Sequence, residues 1–212
     1  MLPCLLATHV IHLKALRHRQ TQTACRVCVW LCLQSRVAHQ APNEANYHAF
    51  YEMLVGMSAQ ELSDIHSERA SLTDFGMLNT EAARLRNATK DSSLYVRTRA
   101  AMSAIGIGDE CQAGIMKLML AILHLGNIEF GDGETAEVDE NSSALAEVAR
   151  LLGCDPAHLG AGMCSRRLKA GADWVTTGNT TVQANDVRHA LAKQLYSFTF
   201  SWLVAQINTS LA

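Results

Sequence analysis

The residues with the plainest capacity for chemistry are three thiols near the start, Cys25, Cys28 and Cys32. Their close spacing would let thiolates converge on a metal, but a zinc site takes four ligands and the second pair at zinc-finger distance is absent. Only His39 and His48 lie nearby, so no metal site is expected. His124 sits within an apolar run and is expected to be a core histidine satisfied by a carbonyl rather than a base. Glu44 and Glu52 have the interval of a solvated helix face rather than of an acid pair. Cys111, Cys154 and Cys164 are isolated and expected to be buried free thiols. The odd total of 7 cysteines argues for a reducing compartment. Asn87, Asn141, Asn179 and Asn208 head glycosylation sequons, which without a secretory signal are chance matches. No Gly-x-x-x-x-Gly-Lys-Ser/Thr, Gly-x-Gly-x-x-Gly, Gly-x-Ser-x-Gly or His-Glu-x-x-His occurs. The residues by themselves predict an all-α domain with no catalytic, cofactor or metal site of its own.

The elements that would position any site are organised around Ile115–Phe130. Up to Leu125 this stretch is nearly all apolar and built of strong helix formers, so it reads as a helix buried on most sides. Gly126 is expected to end it with a positive φ, and Asn127 tolerates similar geometry. Ile128-Glu129-Phe130 alternates like a short strand or extended segment. With 49% hydrophobic and 18% charged residues in a chain of 212, one good core is expected. A formal charge of −2 gives no general attraction to nucleic acid or anionic membrane. No apolar run approaches the roughly 18 residues a bilayer span requires.

Charge divides the chain unevenly. Lys14, Arg17, Arg19, Arg26 and Arg36 precede the first acid, Glu44. Residues 1–32 therefore read as an unassigned basic, cysteine-containing leader. Their composition fits a mitochondrial presequence better than a secretory signal, and an unstructured leader or wrongly predicted start better than either. Beyond them the pattern is helical. A helix from Glu44 to Leu54 ends at Gly56, and Ser58-x-x-Glu61 has the form of a capping box for the next. Residues 66–93 read as loop with short helical pieces, followed by a helix over Leu94–Ile105. Asp109 is expected to cap the organising helix. Gly131–Thr135 is a surface turn, and residues 142–152 are amphipathic through Leu145, Val148, Leu151 and Leu152, with Gly153 as the stop. Asp155-Pro156 starts a further short helix. Ser165–Thr181 reads as an exposed loop or hairpin, and Val182–Leu211 as a long helix. That helix carries two apolar stripes, Val187, Leu191, Leu195, Phe198 and Trp202, then Phe200, Val204, Ile207 and Leu211.

Several of these stretches, in order, resemble the myosin motor domain. Gln34–Leu54 is similar to the family's KSRVV-Q-P-ERNYH-FY-LL passage, and Phe75–Asn79 to its YLN element. Arg99–Met102 with Ile105–Ile107 resembles R-AM--IG, and Ile122–Phe130 resembles ILHLGNI-F. His189–Lys193 with Leu195-Tyr196 and Phe200–Val204 resembles DALAK-LY--LF-WLV--IN. Ala45 stands where the family has arginine and His189 where it has aspartate, so the resemblance is to a divergent, unconventional-type member.

The resemblance covers residues 33–212 and implies a mainly α, upper-50K-like subdomain with short strands and loops, a fragment of a larger P-loop NTPase α/β motor. It implies an actin-based, ATP-driven cytoskeletal motor, with actin filaments and the remainder of the motor domain as partners, and neither nucleic acid nor membrane. The intact family motor uses ATP and Mg2+ through a phosphate loop and two switches. None of these falls in the matched passages, so the expectation for this chain alone is no cofactor and no ATPase activity. A helical actin-binding module, or a truncated or misassembled product without activity, are the alternatives. The implied location is cytoplasmic and cytoskeleton-associated.

One site follows from the resemblance. In the family a loop before the DALAK helix touches actin, and its key position lies sixteen residues before the motif's first residue, His189. That position is Asp173, where the family places an acid or a phosphorylatable Ser or Thr. Arg166, Arg167 and Lys169 supply positive charge at the base of the same loop, suited to acidic actin side chains and weakened by salt.

Overall fold

The structure, a computed structural model, describes residues 35–41, 44–68, 70–78, 80–139, 141–171 and 173–210. The leader, with Cys25, Cys28 and Cys32, lies outside the described residues, as does Leu211. The elements treated below belong to one unit, Arg36–Ala212.

The first helix, α1, spans His48–Gly56 and buries Phe50, Tyr51, Met53 and Leu54 on one side. It begins later than Glu44 because residues 44–47 are held irregular by Asn46. The buried Asn46 amide donates to the carbonyls of Val37, at 2.9 Å, and Met77, at 3.1 Å, and its backbone N–H donates to the Tyr51 hydroxyl. A buried amide is stable only when its donors and acceptor are all engaged, so this one residue fixes three chain segments together. The short helix α2, Ala59–Asp64, has the expected capping box: the Ser58 hydroxyl accepts from the Glu61 N–H at 3.2 Å, and a Glu61 carboxylate oxygen accepts from the Ser58 N–H at 2.8 Å.

A one-turn helix, α3 at Glu81–Arg84, leads into α4, Ala88–Ala104. The latter starts six residues before the expected Leu94, because Asn87 caps it by accepting from the Lys90 N–H at 3.0 Å. Its first turn is held by Asp91, buried and paired with Arg86 at 2.6 Å, whose guanidinium lies 4.6 Å over the Tyr51 ring. Helix α4 packs mainly on α1, and Gly56 makes that approach possible: a Cβ there would lie 2.4 Å from Tyr95.

Helix α5, Asp109–Leu125, is the organising element. Met116, Met119, Leu120, Ala121, Ile122, Leu123 and Leu125 are buried on it, and it packs against α6 and α8. Each fully buried Leu or Ile contributes about 1.5–3 kcal/mol relative to exposure, which makes this helix the main source of cohesion. Two details differ from expectation. Gly108, not Asp109, is the N-cap, and Asp109 is the first helical residue, where its charge still suits the helix dipole. Gly126 has φ −62°, so no left-handed turn ends the helix. It is glycine for space: a Cβ would lie 2.6 Å from Met77 Cγ. Asn127 likewise serves through its side chain, accepting from the Gly76 N–H at 3.0 Å and donating to the Asp74 carbonyl at 2.6 Å. Ile128 is buried, but Ile128–Phe130 joins no sheet.

The amphipathic α6, Ser143–Leu152, buries Leu145, Val148 and Leu151 and stops at Gly153 with φ +68°. Asp155 caps α7, Pro156–Cys164, by accepting from the His158 N–H at 2.9 Å. Strands β1, Ser165–Ala170, and β2, Asp173–Gly178, pair antiparallel as a hairpin. The long α8, Thr181–Ser210, follows. It buries Ala184, Ala192 and Leu195, while Phe200, Val204 and Ile207 of the second stripe are exposed. The body thiols also differ from expectation: Cys111 and Cys154 are exposed and Cys164 half-buried, since each falls near a helix end away from the packed faces.

Candidate functional site

The hairpin grows directly from its supports. Helix α7 runs without a break into β1, and β2 ends at Gly178, with Asn179 and Thr180 linking it to α8. Asn179 is 1% exposed and fastens the base. Its amide donates to the Met163 carbonyl at 2.8 Å, its backbone N–H to the Cys164 carbonyl at 2.8 Å, and its own carbonyl accepts from the Ala136 N–H at 2.7 Å. Buried in this way, Asn179 is closed to glycosylation. Gly171, with φ +66°, supplies the positive backbone angle that a tight hairpin turn needs at its first position.

The register pairs Arg166 with Thr177, Arg167 with Thr176, Leu168 with Val175, Lys169 with Trp174 and Ala170 with Asp173. Because side chains alternate along a strand and directly opposed residues share a face, this register divides the four predicted residues between two faces. Arg167, Lys169, Trp174 and Thr176 occupy one face. Arg166, Leu168, Val175 and Asp173 occupy the other. The Arg167 guanidinium lies 5.4 Å over the Trp174 ring, in cation–π range, which agrees with that division.

Arg166 turns back into the base instead of outward. It donates to the Asn179 side-chain carbonyl at 3.0 Å and to the Gln183 side-chain carbonyl. Its charge is thereby committed to mounting the ribbon on α8, at the base of the loop and on the face opposite Arg167 and Lys169. Arg167, Lys169 and Asp173 are all exposed, and Asp173 sits at the tip. Trp174 is 59% exposed and is the largest apolar side chain on the ribbon, a residue the expected site did not include. Leu168 and Val175 are 46% and 48% exposed. A charged and aromatic ribbon on a rigid mount can bind another surface; it has none of the converging acid, base or nucleophile that catalysis needs.

The remaining candidates are structural. His124 is half-buried, and its ring meets Phe75 edge-on at 5.0 Å, so an aromatic contact takes the place of the expected carbonyl. Burial holds its pKa below the usual value, with Glu147 opposing and Arg150 reinforcing. His189 lies at the crossing of α8 and the segment after Val37, with its ring edge-on to His39 at 4.6 Å and its Nε2 2.9 Å from Arg188. Burial first, then Arg188, His39 and Lys193, push its pKa down to about 4. Arg188 donates to the Ile128 carbonyl and lies 5.8 Å over the Phe130 ring, while its buried Nε has no partner among the described residues. Among the described residues no group of three or more His, Cys, Asp or Glu is placed to hold a metal ion, and no helix is long and apolar enough to cross a membrane.

Comparison with known proteins agrees with the helical architecture. The model of the myosin head (motor domain) family matches residues 15–212. Unconventional myosin-Ia of Bos taurus is 32% identical over 187 residues, covering 86% of this chain and 18% of that protein. Myosin-51 of Schizosaccharomyces pombe is 33% identical over 190 residues, covering 89% of this chain and 13% of that protein. Myosin-7 of Arabidopsis thaliana is 37% identical over 190 residues, covering 86% of this chain and 11% of that protein. The chain thus spans less than a fifth of the length of these relatives.

Proposed function

The chain belongs to the myosin head (motor domain) family, and from that premise we propose that it is part of an actin-based, ATP-driven motor whose filament contact is the β1–β2 hairpin. The observation that supports the reading is the exposure of Arg167, Lys169 and Asp173 on a ribbon braced by Asn179 and Arg166. Acidic side chains on actin would meet Arg167 and Lys169, and salt would weaken that attraction. Asp173 occupies the position where the resemblance calls for negative charge, and supplies it without phosphorylation.

Residues 33–212 are proposed as the motor piece and residues 1–32 as a leader. The 212 residues contain no phosphate-loop motif, and we propose that ATP and Mg2+ are held by other parts of the motor, so that this chain alone neither binds nor hydrolyses ATP. The proposed setting is cytoplasmic and cytoskeleton-associated, with no nucleic-acid or membrane partner. Saturable binding of MgATP at micromolar nucleotide would refute the second part. Co-sedimentation with actin filaments tests the first: Arg167→Glu with Lys169→Glu should weaken it, most at low salt, and unchanged binding would count against the hairpin. The alternative of an inactive product predicts no co-sedimentation by the wild-type chain.

A further inference from the structure

We infer that the ribbon makes its short-range contact with one face only, the face of Arg167, Lys169 and Trp174, with Trp174 as its central anchor. The inference rests on the hairpin being the filament contact, and concerns which side of it meets the partner. It follows from the register, which the sequence pattern does not reveal.

Two arguments favour this face. The first is charge. Arg167 and Lys169 point the same way, and neither forms an ion pair among the described residues, so both charges remain available. On the opposite face Arg166 is engaged by Asn179 and Gln183, and the outward charge is the carboxylate of Asp173. An acidic partner is attracted to the first face and repelled from the second.

The second argument is the kind of surface each face offers. Tryptophan and arginine dominate binding hot spots because a large rigid ring combines with a planar, weakly hydrated cation. Arg167 already lies over the Trp174 ring at 5.4 Å, so the pair is ordered before binding and loses less entropy on docking. Leu168 and Val175 form a directly opposed aliphatic pair on the other side, each about half exposed. Such pairs hold two strands together, and a two-stranded ribbon needs that support. The partner surface is therefore an acidic patch beside an apolar recess that admits an indole ring. Asp173, on the far face at the tip, would meet basic rather than acidic side chains of the partner.

The test uses the full chain and actin filaments, with circular dichroism confirming that each variant is folded. Trp174→Ala should weaken co-sedimentation by about tenfold, the change expected for losing an anchor residue. Its effect should persist at high salt, whereas that of Lys169→Glu should fade. Leu168→Thr and Val175→Thr, β-branched residues that keep the strands paired, should stay within about twofold of wild type, since they lie off the contact face. Acrylamide quenching supplies a second readout: filaments should protect a fluorescence component that is missing in Trp174→Phe. If Leu168→Thr or Val175→Thr weakens binding as much as Trp174→Ala, the face is wrongly assigned while the hairpin reading stands. If no substitution on either face changes binding, or the wild-type chain does not bind, the hairpin reading fails and takes this inference with it.

Discussion

At the scale of single residues, His189 is the group whose displaced titration an acid titration reads. Its imidazole is held neutral by burial and by Arg188, His39 and Lys193, with only Asp186 opposing. A base whose folded pKa lies below its unfolded value binds more protons when unfolded, so acid favours unfolding. The stability it contributes is fully present above about 6.5 and is lost progressively as pH falls towards about 4. His124, shifted down by burial, adds to the same acid limb. Chemical denaturation between pH 7 and pH 4.5 should show His189→Asn losing less stability than wild type, with His124 leaving a residual slope. Parallel pH profiles for the two proteins would contradict this. The buried Arg188 Nε has no partner among the described residues, and a buried guanidinium is costly unless paired. His189→Asp should raise the melting temperature near pH 7 by giving that guanidinium a carboxylate, and a lower melting temperature would disprove the pairing.

Glycines separate into opposite classes when the space around each is considered. Gly56 lies where a Cβ would come within 2.4 Å of the Tyr95 side chain, at the root of an aromatic ring that cannot move aside. Gly114 stands mid-helix in α5 with nothing within 4 Å of a Cβ. Gly56→Ala should therefore cost about 1–3 kcal/mol through overpacking, while Gly114→Ala should gain about 0.5–1 kcal/mol by lowering the entropy of the unfolded chain. Urea titrations of both variants read the two signs directly. A Gly56→Ala variant as stable as wild type would show that α1 and α4 are not the close pair described.

At the scale of elements, the ribbon depends on its base more than on its strands. Asn179 serves α7, β1 and the turn before α8 at once, so Asn179→Ala leaves the Met163 carbonyl and the Arg166 guanidinium short of partners. A loss of about 1–3 kcal/mol is expected, with faster hydrogen exchange in residues 165–178 than in α5. Uniform exchange across both would mean the ribbon is not separately braced. How far each element was legible follows from where its signal resides. Helix α6 is readable because Leu145, Val148 and Leu151 recur at helical spacing before Gly153, and the Ser58–Glu61 box is a local pattern. The start of α4 is not, because Ala88–Ser93 is mostly polar and its support is the distant stacking of Arg86 on Tyr51. The ends of α5 mislead for a related reason: Gly126 and Asn127 look like turn residues but answer to Met77, Asp74 and Gly76, far off in sequence. Of the site, the hairpin and its exposed charges are visible in the order of residues. The inward turn of Arg166 and the pairing of Arg167 with Trp174 depend on register, which a one-residue slip would invert.

At the scale of the whole molecule, α8 carries a run of exposed apolar surface apart from that on the ribbon. Phe200, Val204 and Ile207 on α8 are 46%, 39% and 41% exposed, one helical turn apart, so they form a continuous stripe. Phe200 also lines an apolar cleft with Met53, Tyr95, Met102, Met119 and Leu203, so the stripe continues into the space between α1, α4, α5 and α8. Patches of this kind on a helix usually mark a covered interface. Under the function proposed above, the remainder of the motor provides the cover, and the chain alone leaves the face wet. Removing that surface from water is favourable whatever the partner, so copies of the isolated chain should associate with one another. Sedimentation equilibrium should show a mass that rises with protein concentration, and Val204→Lys combined with Ile207→Glu should return it to the monomer. Both positions are substantially exposed, so the double substitution leaves the core around Leu195 and Ile122 intact and its effect reads the surface alone. A wild-type chain that stays monomeric over the same range would mean the stripe tolerates water, and the case for a motor remainder seated on α8 would fall with it.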